Sequence, residues 1–266
     1  GNLISHDAHE QGRESFITFD APHHCQWQFL RPHFPDDCLY LRAFVLGWQV
    51  LERSHSPQRI AWAECHLHGI DLLQRYGVKW NVMATINSAN VSQPEEFYRF
   101  FRDDLQCRFL QFTPIVETSH SEKSLLSFSV RPRQWGRFLC AVFDEWTAHG
   151  DVGEMFVQLF DATLANWCGV VPGVCTMARS CGHAGVMEFN GDVYSCDHFV
   201  LPRHRLGNIR ETSLAEMMYG EQQTRFGRMK QEGLPGECRQ CRWLFACNGE
   251  CPKNRILPDG RNYLCE

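Results

Sequence analysis

Nowhere in the 266 residues is there a run near the ~18 consecutive apolar residues that a membrane-spanning helix needs. Residues Gly1–Glu10 do not read as a basic-then-apolar leader. Neither sign of charge dominates: 26 Lys and Arg stand against 31 Asp and Glu, a net −5. Nothing therefore points to nucleic acid or an anionic membrane as an obligate partner. With 44 % hydrophobic and 21 % charged residues, disorder of the whole chain is excluded as well. The expectation is a soluble, cytoplasmic protein of one large or two modest domains.

Cysteine is what the chain has in excess: 14 residues, unevenly placed. Cys25, Cys38, Cys65, Cys107, Cys140 and Cys168 are scattered singletons. The apolar surroundings of Cys107, Cys140 and Cys168 predict packed thiols. Cys175, Cys181, Cys196, Cys238, Cys241, Cys247, Cys251 and Cys265 crowd into the last third. A secreted disulfide scaffold fits poorly, because the chain is long and the group asymmetric. Cys238-Arg-Gln-Cys241, followed by Cys247 and Cys251, is better explained by metal, since a short loop can aim several thiolates at one centre. Eight cysteines divide into two sets of four. Spacing does not separate zinc from iron–sulfur, or say which four belong together.

Residues 70–160 predict alternating helices and strands. Leu72–Tyr76 ends a helix at Gly77, and Val78–Ile86 is an apolar strand. Ser92-Gln-Pro-Glu95 opens a helix whose apolar face is Phe97, Phe100, Phe101 and Leu105. Arg108–Val116 is the next strand, and Glu117–Ser124 a polar loop. Trp135, Phe138, Leu139, Val142, Phe143 and Trp146 then fall at helical spacing, a core-packing stripe. Repeated βα units imply parallel strands with right-handed crossovers. Beyond residue 160 the character changes. Val186–Phe189 and Asp192–Cys196 flank Asn190-Gly191, which predicts a hairpin with a type I′ turn that delivers Cys196 at its end. Ser213-Leu-Ala-Glu216 is a capping box for a helix to about Tyr219. Glu237–Glu266 has little periodicity, which predicts that metal organises it. Residues 1–69 hold eight of the 13 histidines, with no legible pattern. They stay unassigned, an aberrant or strongly diverged segment in which His23-His24-Cys25 reads as incidental.

The C-terminal pattern is similar to that of the SPASM-containing radical S-adenosylmethionine enzymes, and among them to the anaerobic sulfatase-maturating enzymes. The residues that carry it are Cys175-x5-Cys181, Asn190-Gly-Asp-Val-Tyr-Ser-Cys196-Asp197-His198, Leu206-Gly-Asn-Ile209, Cys238-x2-Cys241-x5-Cys247-x3-Cys251-Pro-Lys253 and Asn262-Tyr-Leu-Cys265. A looser match through Leu110-Gln-Phe-Thr-Pro114 reaches back to about residue 70. The resemblance implies an α/β fold: the C-terminal part of a partial (β/α)6 barrel over 70–160, then a twin iron–sulfur SPASM domain over 161–266. It assigns Cys175, Cys181, Cys196 and Cys251 to one [4Fe–4S] cluster, and Cys238, Cys241, Cys247 and Cys265 to a second. It also implies a sulfatase-type protein or peptide substrate, a reductant such as flavodoxin or ferredoxin, and oxidation of a substrate cysteine or serine to formylglycine. Asp197 matches the family's proposed base, since losing the thiol or hydroxyl proton makes the substrate radical easier to oxidise.

Intact family members bind S-adenosylmethionine on a third cluster held by Cys-x3-Cys-x2-Cys. That motif is absent here, as is the Gly-Gly-Glu-Pro stretch expected near the cofactor. The expectation is that these residues alone do not cleave S-adenosylmethionine. The alternatives to a radical enzyme are a two-cluster electron-transfer or peptide-binding module, and a non-functional remnant.

Overall fold

The computed structural model describes residues 67–119 and 124–265, with the backbone of two earlier strands, β1 (Phe29–Leu30) and β2 (Tyr40–Leu46). His23-His24-Cys25, Cys38 and Cys65 lie outside the described residues. The chain divides into two compact units, Gly1–Ala84 and Thr85–Glu266. The division falls inside strand β3 (Asn81–Ile86).

In the first unit β1 and β2 are antiparallel, with Phe29 opposite Leu41. Helix α1 (67–75) buries Ile70 and stops at Gly77. That glycine sits at φ +63, a conformation L side chains rarely adopt. β3 begins three residues after the expected Val78, and its Val82, Met83 and Ala84 are buried.

The second unit opens with the βα layer. Pro94 starts helix α2 (Pro94–Arg99), which widens into a π turn over Phe100–Asp104, where Leu105 N–H reaches back five residues to Phe100 O. The widened turn keeps Phe97, Phe101 and Leu105 buried and leaves Phe100 at the edge. Strand β4 (Phe109–Pro114) pairs in parallel with β5 (Phe156–Val157), Phe109 opposite Phe156. Between them runs helix α3 (Pro132–Ala148), with Trp135, Phe138, Val142 and Trp146 buried as the spacing predicts. Phe143, expected in the same stripe, is 45 % exposed because it lies on the stripe's outer edge. Phe138 is the hub: its ring centroid lies 5.8 Å from Phe97, 5.2 Å from Phe112 and 5.8 Å from Trp135. β5 runs directly into helix α4 (Gln158–Trp167).

The cysteine-rich part is built on a three-stranded antiparallel sheet, β6 (Val186–Met187), β7 (Asp192–Tyr194) and β8 (Arg205–Asn208). The turn differs from the type I′ expected. Only Gly191 has positive φ, +89, and Gly191 N–H donates to Glu188 O. Phe189–Gly191 is thus a three-residue loop, with the glycine in the left-handed position that resets the strand twist. Helix α5 (Leu214–Tyr219) carries the expected capping box: Ser213 Oγ accepts from Glu216 N–H, and the Glu216 carboxylate accepts from Ser213 N–H. Val193, Met217 and Met218 form a small core against Leu206. Helix α6 (Glu221–Glu232) follows, then two short helices, α7 (Gly236–Gln240) and α8 (Leu244–Cys247).

Candidate metal centre

The eight late cysteines sit on different pieces of backbone. Cys175 and Cys181 bracket an irregular loop, and Cys181 N–H donates to Gly227 O on α6. A Cβ at Gly227 would come within 2.6 Å of Cys181 O, so a side chain there would push the helix and the loop apart. Cys196 follows β7 and caps the 3-10 turn Asp197–Phe199; Phe199 N–H donates to its carbonyl. Cys251 caps a second such turn, Pro252–Asn254. Cys238 lies on α7, Cys241 caps its end, Cys247 ends α8, and Cys265 N–H donates to Asn262 O.

No disulfide joins any of the eight. Their electrostatics sort them into two groups. Burial pushes the Cys181 thiol up, and the charge of Cys175 adds to it. Burial pushes Cys251 up to about 11, with the charges of Glu250, Cys175 and Cys181 acting the same way. Burial pushes Cys196 up to about 12, helped by its hydrogen bond to Asp197 and by the charges of Asp197 and Cys251. In the other group, burial raises Cys238, with Cys265, Cys247 and Cys241 adding to it; burial likewise raises Cys265, with Cys247 and Cys241 adding. Cys251 is thus within electrostatic reach of Cys175, Cys181 and Cys196, although its nearest cysteine in sequence is Cys247.

Thiols raised in this way resist ionising next to one another, and only a strongly positive group compensates four thiolates brought together. Four ligands of one zinc would stand roughly 3.8 Å apart, from a Zn–S distance of about 2.3 Å. Among the described residues no three His, Cys, Asp or Glu side chains are gathered as ligands of a single ion. A four-iron cluster carries its thiolates on separate irons and so accepts a wider set. The chemistry of the donors suits iron–sulfur binding: eight thiols, with backbone N–H groups of Trp243 and Gly249 on Cys241 Sγ and Cys247 Sγ, each at 3.4 Å.

Asp197 is exposed beside Cys196. Its Oδ1 accepts from Cys196 Sγ at 3.2 Å and from His198 N–H at 3.0 Å. His183 packs against Tyr219, ring centroids 4.6 Å apart. Cys107 is buried as expected, but Cys140 and Cys168 are exposed. Cys140 falls outside the apolar stripe of α3, and Cys168 caps the end of α4 beside the exposed Trp167.

Sequence reasoning passed over the side chains that hold the ligand loops in place. Gln223, buried on α6, donates Nε2–H to Gly182 O at 2.9 Å and Ser195 O at 3.2 Å. Asn166 and Asn248 donate to Met177 O at 2.9 and 2.8 Å. Asn262 ties Glu250 and Cys251 O together. Lys230 donates to three carbonyls of the Cys175 loop. A polar residue on a helix reads as a solvated face; the one available signal was Gln223, Gly227 and Lys230 recurring at i, i+4 and i+7.

Residues 180–242 match the family model of SPASM, an iron–sulfur cluster-binding domain. Over 219 residues the chain is 54 % identical to the serine-type anaerobic sulfatase-maturating enzyme of Bacteroides thetaiotaomicron, covering 75 % of this chain and 52 % of that protein. The chain is a SPASM-domain relative of the anaerobic sulfatase-maturating enzymes. With the cysteine-type enzyme of Clostridium perfringens it shares 27 % identity over 201 residues, 74 % of this chain and 54 % of that protein. Native anSMEcpe, solved with bound AdoMet and the Cp18Cys peptide, aligns with a TM-score of 0.71 at 23 % identity, over 85 % of this chain and 64 % of that one. That likeness shows a shared fold. The chain spans about half the length of the curated relatives it matches.

Proposed function

We propose that this chain is the cluster-carrying part of a radical S-adenosylmethionine system that oxidises a serine of a sulfatase polypeptide to formylglycine. The observation that carries this reading is the match of residues 180–242 to an iron–sulfur cluster-binding domain, with eight cysteines in and around it. Cys175, Cys181, Cys196 and Cys251 would hold one [4Fe–4S] cluster, and Cys238, Cys241, Cys247 and Cys265 the other. When bound, the clusters supply acceptors for single electrons. Asp197 is the general base that takes the hydroxyl proton of the substrate serine. Its Oδ1 is fixed by the His198 N–H, which leaves Oδ2 to receive the proton. Serine rather than cysteine is supported by 54 % identity to a serine-type enzyme against 27 % to a cysteine-type one. The partners are then a sulfatase-type peptide and a reductant such as flavodoxin or ferredoxin, and the compartment is the cytoplasm.

The absence of Cys-x3-Cys-x2-Cys from these 266 residues favours a second reading for the chain acting alone, a two-cluster electron-transfer or peptide-binding module. Anaerobic reconstitution followed by iron and sulfide analysis is expected to return about eight of each per chain. Zinc in their place overturns the cluster reading. Incubation with S-adenosylmethionine and dithionite is expected to release no 5′-deoxyadenosine. A serine peptide from a sulfatase is expected to bind, and Asp197→Asn to leave the iron content unchanged.

A further inference from the structure

Lys230 is fully buried, at 0 % exposure, the only Lys, Arg, Asp or Glu so placed among the described residues. Its Nζ donates to Cys175 O at 2.7 Å, Thr176 O at 2.8 Å and Ala178 O at 2.5 Å. An ammonium has three protons and no lone pair, so three carbonyls satisfy it completely; a neutral amine would leave one oxygen facing its lone pair. Enclosing such a charge is costly unless opposite charge stands near. Burial pulls the Lys230 pKa down, and the groups that oppose this, when they carry negative charge, are Cys181, Cys175, Glu250 and Cys251. Three of the four are thiols assigned above to one cluster. One turn away on the same face of α6, Gly227 O accepts from Cys181 N–H, and a further turn back Gln223 holds Gly182 O and Ser195 O. The face Gln223–Gly227–Lys230 thus touches the backbone that leads to Cys175, Cys181 and Cys196.

We propose that Lys230 is the positioning residue of the cluster held by Cys175, Cys181, Cys196 and Cys251: it shapes the Cys175–Ala178 loop around its ammonium before metal arrives, and it leaves a fixed positive charge beside that cluster. The inference rests on the two-cluster reading. A cluster gains negative charge on reduction, so a fixed cation nearby favours the reduced form and raises the midpoint potential of this cluster. The second cluster, on Cys238, Cys241, Cys247 and Cys265, has Arg255 and Arg261 as its nearby cations, which neither variant below removes, and so serves as an internal reference.

The test compares the full chain with Lys230→Met and Lys230→Gln after anaerobic reconstitution. It reads iron per chain, amide exchange over residues 175–182 and the two midpoint potentials. In Lys230→Met, residues 175–182 are expected to lose exchange protection. Either half of the iron is lost, or one midpoint moves to a more negative potential while the other stays. Lys230→Gln keeps two donors but no charge; it is expected to retain more iron than the Met variant and to show the same one-sided shift, and it decides the matter if the Met variant does not fold. Unchanged iron, exchange and midpoints in both variants would overturn the assignment. So would a uniform loss of both clusters in both, which marks a general core residue. Zinc or no iron in the unmodified chain removes the two-cluster reading itself, an outcome separable from the others because it precedes any substitution.

Discussion

Tyr98 and Asp151 stand 53 positions apart, yet the Tyr98 hydroxyl donates to Asp151 Oδ2 at 2.8 Å, and Arg102 Nε donates to the same oxygen at 2.6 Å. Burial, and then the hydrogen bond to Asp151, hold the Tyr98 hydroxyl above the usual tyrosine range. A folded-state pKa raised above the unfolded value contributes stability that is complete below about pH 10 and is lost as pH rises further. Tyr98→Phe is expected to lower stability by about 1 kcal/mol near neutral pH, and the gap to the parent chain should narrow above pH 10. Urea unfolding at a series of pH values checks both statements. A constant gap across that range would mean that the hydroxyl titrates normally. No sequence pattern announces such a pair, because neither residue has a local partner that marks it. The eight cysteines were legible because a thiol is rare and the spacing of one set is short. Lys230 and Gln223 were not, since their meaning lies in carbonyls brought up from loops 28 to 55 residues away.

Helix α3 was the most readable element, because its apolar positions recur over about three turns with a period that leaves no choice of face. Its central residue, Phe138, packs against Phe97, Phe112 and Trp135. Phe138→Ala is expected to cost about 3–5 kcal/mol, a large share of the ~5–15 kcal/mol that holds an ordinary domain together; a markedly lower urea midpoint is the measurement. The shorter elements were read less well. The Asn190-Gly191 pair announced a turn but not its type, since the choice between two-residue and three-residue loops depends on strand register, here Met187 opposite Val193. The π turn after α2 escaped notice for a similar reason. An extra residue in one turn is selected by which side chains the neighbouring β4 and α3 leave room for, and that is not a property of the segment itself. The capping box of α5, by contrast, is entirely local, and it formed as read.

Across the molecule, the region after residue 236 has only two short helices, and few of its residues are buried apolar ones. Metal binding and folding are then expected to be one process there. Stripping the reconstituted chain with a strong chelator under reducing conditions should expose residues 236–265 to protease while α3, packed on its own aromatic core, stays protected. Limited proteolysis with mass readout decides it. If the tail remains resistant after the iron is gone, side-chain packing, and not metal, organises it.

Periodicity, capping and cysteine spacing were enough to place an α/β layer ahead of a cysteine-rich tail, because each is written in neighbouring residues and needs no distant partner. Which thiols come near one another was a different kind of question. Cys251 follows Cys247 by four residues, but the left-handed turn through Asn248, Gly249 and Glu250 carries it away from that group, into reach of the charges of Cys175, Cys181 and Cys196. Short-range spacing limits where a thiol can go. The fold of the intervening loops, fixed here by Gln223, Gly227, Lys230 and Asn262, settles where it does go, since their hydrogen bonds join backbone segments that the chain order keeps far apart.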